Sequence, residues 1–144
     1  MKNLLKSFLV LWTILMATNV VFAQNYACQL PEGMEMILTK NKGTENTYQF
    51  KIKQGTQQIV ISKSAPGEVT SEREALEYFY QWYEAAFEDS ETEPTVKLAD
   101  IKKALAVGVN PNPETQTLFY VFFDANGKEL AKFVIYGAAP YACQ

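Results

Sequence analysis

Around residues 46–53 the chain alternates: Tyr48, Phe50 and Ile52 are apolar, and Thr47, Gln49, Lys51 and Lys53 are polar. A two-residue period predicts a β-strand with one buried face. Residues 34–39 predict a strand before it, and Gln54-Gly55-Thr56 a turn into a third strand at 58–62. These three form an antiparallel meander, which Ala65-Pro66-Gly67 is expected to end. Near the other end, residues 118–123 and 132–136 read as the arms of a hairpin. Asp124-Ala125-Asn126-Gly127 is its turn.

Between these strand regions the period changes. Over residues 72–89, Leu76, Phe79, Tyr80, Tyr83 and Phe87 fall within an arc of about 100° when wound at 100° per residue. Glu74, Glu77, Gln81, Glu84 and Glu88 occupy the opposite face. Ser71 and Glu74 have the spacing of a capping box at the start of this helix. A second, shorter helix is expected at 97–107, with Leu98, Ile101 and Leu105 inward and Gly108 as its stop. Asn110 to Pro113 reads as an ordered connector.

The resulting expectation is an α+β fold in a single domain. One antiparallel sheet, a three-stranded meander plus a C-terminal hairpin, carries one long and one short helix packed on one face. A thioredoxin-like layout competes through the closing hairpin, but a C-x-x-C motif and an early βα unit are both missing.

The first residues change the meaning of the cysteines. Lys2 and Lys6 precede an apolar run from Phe8 to Met16, and Val21-Phe22-Ala23 offers a cleavage site. This is the pattern of a secretory signal peptide over 1–23, leaving a mature chain of 24–144. A membrane anchor is the competing reading, since residues 4–23 are about long enough to span a bilayer. Lys6, Ser7, Thr13, Thr18 and Asn19 dilute that stretch, so no stable membrane insertion is expected after cleavage. Asn25 stands where a lipidated Cys28 would need an aliphatic residue. With no N-glycosylation acceptor in the chain, a secreted or periplasmic protein of bacterial type is expected.

In an oxidising compartment the two cysteines, Cys28 and Cys143, predict one disulfide. Each lies in the same tetrapeptide, Tyr-Ala-Cys-Gln. Their bond would close nearly the whole mature chain into a ring, constraining the unfolded state by up to about 5 kcal/mol on a chain-entropy estimate.

Charge is unevenly placed. Without Lys2 and Lys6, 11 basic residues face 16 acids. Nine of those acids lie between Glu68 and Glu93 with only Arg73 among them. Lysines gather instead at 40, 42, 51, 53 and 63. That balance argues against a nucleic-acid partner.

Chemistry is restricted as well. The chain contains no histidine, which removes the common neutral-pH base, the common zinc ligand and every histidine-based triad. No phosphate-binding glycine loop or nucleophile motif occurs in the mature chain, and no cofactor or metal is expected. Asp124 to Glu129 has a glycine too early for a calcium loop and reads as a hairpin turn. Side-by-side carboxylates on one exposed helix face lack the environments that separate an acid from a base. An enzyme is therefore not expected.

Two surfaces remain. The row Glu77, Gln81, Glu84 and Glu88 is a candidate site for a basic protein. Its last members place negative charge at a helix C-terminus, which costs up to about 1 kcal/mol each. The first expectation is thus a secreted or periplasmic binding module, of inhibitor or immunity type. The second is a structural protein that forms a homodimer through an apolar hairpin, with Phe119, Val121, Phe123 and Tyr78 as its surface. A central strand pair covered on both faces is the alternative account of that hairpin.

Overall fold

A computed structural model describes residues 25–41, 47–61, 65–109 and 117–143. The expected signal peptide, the connector at 110–113 and Ser62 lie outside the described residues. The strands are β1 (Asn25–Gln29), β2 (Met34–Lys40), β3 (Thr47–Gln54), β4 (Gln57–Ile61), β5 (Ala65–Thr70), β6 (Lys103–Val109), β7 (Thr117–Phe123), β8 (Glu129–Tyr136) and β9 (Ala139–Cys143). One α-helix, α1 (Arg73–Ala85), connects β5 to β6 by way of a 3-10 turn at Leu98–Asp100.

Every neighbouring pair is antiparallel, in the order β1-β2-β3-β5-β6-β7-β8-β9. β4 also pairs with β3: it takes Lys51 to Gln54, while β5 takes Thr47 and Tyr48. The path is therefore eight strands wide and curls into a nearly closed barrel. Its two ends, β1 and β9, share no ladder among the described residues. They meet at the disulfide Cys28–Cys143, where the Cα atoms are 4.8 Å apart. The predicted bond is present, and both Tyr-Ala-Cys segments are strands.

A barrel of this width has an interior that side chains alone can fill. Tyr26, Met36, Leu38, Tyr48, Phe50, Leu105, Val107, Phe119, Val121, Phe123 and Val134 fill it. A second layer lies outside the barrel, where Leu76 and Tyr83 of α1 pack over Ala104, Tyr120, Phe122, Phe133 and Ile135. β7 belongs to both layers: Phe119 and Val121 face inward, Tyr120 and Phe122 face the helix. Burying each phenylalanine contributes about 1.5–3 kcal/mol.

This corrects the expected fold. The meander and the hairpin are present, yet they are parts of one barrel-like sheet with a single α-helix among the described residues. Residues 103–109 form β6 and not a second helix. Leu105 and Val107 point into the barrel, while Ala104 and Ala106 alternate beneath α1, a period of two that a helix could not satisfy. Residues 65–67 follow the meander as expected, but they open β5, which carries the sheet on from β3 to β6. α1 begins without the capping box: no side chain caps its first turn, and the Glu72 N–H donates to Thr70 Oγ1 at 3.2 Å. It ends at Ala85, short of the expected Asp89, in tight turns closed by Phe87 N–H to Glu84 O at 3.0 Å and Ser90 N–H to Phe87 O at 3.1 Å.

The hairpin turn is as expected. Asp124 Oδ1 accepts from the N–H groups of Asn126 at 2.8 Å and Lys128 at 2.9 Å. Gly127 takes a φ of 78°, open to glycine at little cost.

Candidate functional site

The helix that covers the barrel turns its other face outward. Glu77, Gln81, Glu84 and Glu88 are all exposed, as their spacing predicts. Gln81, Glu84 and Glu88 line one open depression of about 390 Å³, together with Ala85, Phe87 and Pro94. Glu77 does not line it. It lies one turn away and pairs with Arg73, Nε to Oε1, at 3.4 Å. That pair is half exposed and contributes little to stability.

Helical periodicity sets Gln81 and Glu84, and Ala85 closes the helix beside them. Glu88, Phe87 and Pro94 depend on the chain after the helix. Phe87 packs edge-on against Tyr83, with ring centroids 5.2 Å apart, which fixes its ring beside Glu84 and Glu88. Pro94 comes from the segment that returns along α1. Tyr80 holds that segment by donating its hydroxyl to the Val96 carbonyl at 2.8 Å. Ser90 and Thr92 organise its start, with their hydroxyl oxygens 2.7 Å apart. Burial raises the Tyr80 hydroxyl above its ordinary pKa, and the Glu84 carboxylate adds to the rise.

Charge at this site is not compensated within the helix. Glu84 lies in the last turn of α1, where the helix dipole is negative, and that turn carries no basic residue. Glu88 follows one turn later. Two carboxylates on a partly apolar floor suit a cation with an aliphatic stem: the stem covers Phe87 and Pro94 while the charged head meets the acids.

The second proposed surface is not a surface. Phe119, Val121 and Phe123 lie inside the barrel at 0, 0 and 1 % exposure, because β7 is covered on both faces. Tyr78 alone of that set is exposed, at 56 %, on α1. Among the described residues no group of three side chains could hold a metal ion, and no helix is long and apolar enough to cross a membrane.

Sequence reasoning missed Ala85 and Pro94 at the depression and gave Phe87 only to the core. The signal for Phe87 was available, since it closes the apolar arc at the frayed end of the helix. Pro94 had none, because its place depends on the Tyr80 hydrogen bond. The chain matches no protein-family model, no curated protein and no solved structure.

Proposed function

We propose that this chain is a small binding module of an oxidising compartment that docks a basic protein on the depression at the end of α1. One observation carries the reading: Glu84 and Glu88 converge, unpaired by any lysine or arginine of the helix, around a floor of Phe87, Ala85 and Pro94. Solubility requires charge, but it does not require two carboxylates at the unfavourable end of a helix beside an apolar floor. The disulfide fits the compartment, since such bonds persist where thiols are not kept reduced. Without histidine or a free thiol among the described cysteines, binding is the reading the residues support over catalysis.

The test uses defined peptides. A lysine-rich peptide and a serine-substituted control of equal length are titrated into the isotope-labelled protein, and amide shifts are followed. The lysine peptide should shift Gln81, Glu84 and Glu88, with an affinity that falls steeply between 50 and about 300 mM salt. Glu84→Lys with Glu88→Lys should leave the fold intact and abolish the shifts. Equal shifts in the charge-reversed protein would mean that the face is only solvated.

A further inference from the structure

The seam of the barrel places three groups together that no ordinary structural bond requires. Cys28 is 1 % exposed within the barrel core, whereas Cys143 on the terminal strand is partly exposed. Lys132 of β8 is the residue directly opposite Cys143 in the ladder, so both side chains lie on the same face. Its ammonium sits 5.7 Å from the ring centroid of Tyr26, which is two residues from Cys28 on the inner face of β1. The Glu129 carboxylate, 3.8 Å from Lys132 Nζ, is its nearest anion and is itself partly exposed. A lysine therefore stands across the ladder from the less buried of the two bonded cysteines.

We propose that Cys28–Cys143 is a site of thiol–disulfide exchange, entered at Cys143 and assisted by Lys132, and that its reduction opens the barrel at β9. The reductant is a dithiol, a protein or small molecule carrying two thiols. One of its thiolates attacks Cys143 Sγ. A bond forms between that sulfur and Cys143, the Cys28–Cys143 bond breaks, and Cys28 Sγ leaves with the electron pair. The leaving thiolate takes a proton. A nearby ammonium favours it, because positive charge stabilises a thiolate and a more stable thiolate leaves faster. The second thiolate of the reductant then attacks its own partner sulfur and releases Cys143, which is protonated in turn. The protein gains two electrons and two protons, and the reductant ends as a disulfide.

Opening falls to β9 for a structural reason. With the bond gone, β9 is held by its ladder to β8 and by partly buried side chains that meet α1 and β1. β1 keeps Tyr26 and Cys28 in the core, with the Tyr26 ring 5.1 Å from that of Phe119. β9 is the strand free to leave.

The experiment treats the oxidised native protein with reduced glutathione, quenches with acid, alkylates, and maps the products by mass spectrometry. Glutathione should appear on the peptide containing Cys143 and the alkyl group on Cys28. The rate should rise in proportion to glutathione and pass the rate of global unfolding measured in the same buffer. Lys132→Met should slow the reaction roughly three- to tenfold, and Lys132→Arg should restore it. After full reduction by dithiothreitol, amides of β9 should exchange with deuterium faster while those of β1 and β7 stay protected. Glutathione on Cys28, a rate capped at that of unfolding, or no effect of Lys132→Met would each overturn the proposal.

Discussion

The Tyr48 ring is fully buried in the barrel, and its hydroxyl meets no hydrogen-bond partner among the described residues. An unpaired buried hydroxyl costs about 1–3 kcal/mol. Tyr48→Phe keeps the ring and removes that cost, so it should stabilise the protein by about 1 kcal/mol, read as a higher midpoint in urea. A lower midpoint would mean that the hydroxyl is satisfied in solution. Three tyrosines also set how stability responds to alkali. Burial raises Tyr48 and Tyr80, and burial with the neighbouring Tyr78 pushes Tyr120 from 10.0 up to about 12. Above pH 10 the unfolded chain releases these protons while the folded protein retains them. Ionisation therefore favours unfolding, and stability should fall as pH rises from about 10 towards 12. Thermal unfolding at pH 9 and pH 11 measures the fall, and Tyr120→Phe should make it shallower.

At the scale of elements, the contact between helix and sheet depends on two alanines. Ala104 and Ala106 lie on the outer face of β6, Ala104 fully buried beneath α1. Their small side chains let the large rings opposite them, Phe122 and Tyr120, meet the helix. Ala104→Leu should overpack this layer and cost about 1–3 kcal/mol, visible as a lower Tm. The same alanines explain why β6 was hidden in the sequence. Leu98, Ile101 and Leu105 have helical spacing, and alanine favours a helix, so local propensity pointed the wrong way until the sheet required otherwise. β3, β7 and β8 were legible because large residues mark their faces. β1, β5 and β9 were not: each is only five or six residues long, and Pro66 and Pro140 stand inside two of them. The acidic row was legible because helical geometry sets Glu77, Gln81 and Glu84, and the tight turns after Ala85 leave Glu88 exposed beside them. The floor was not, because a loop brings Pro94 to it.

For the whole molecule, two consequences follow from the join between Cys28 and Cys143, 115 residues apart in sequence. Replacing both with serine should lower stability by up to about 5 kcal/mol in chemical denaturation, less wherever the unfolded chain keeps residual structure. The second consequence is mechanical. When the protein is pulled from handles placed outside the two cysteines, the load runs along Cys28, the S–S bond and Cys143, and bypasses the strands between them. The barrel should then show no unfolding step in a force ramp that ruptures ordinary β-proteins. Adding a reductant under load should release the shielded chain between the two cysteines, lengthening the tether by roughly 400 Å. The molecule is in this sense a short tether with a long chain stored behind one covalent bond.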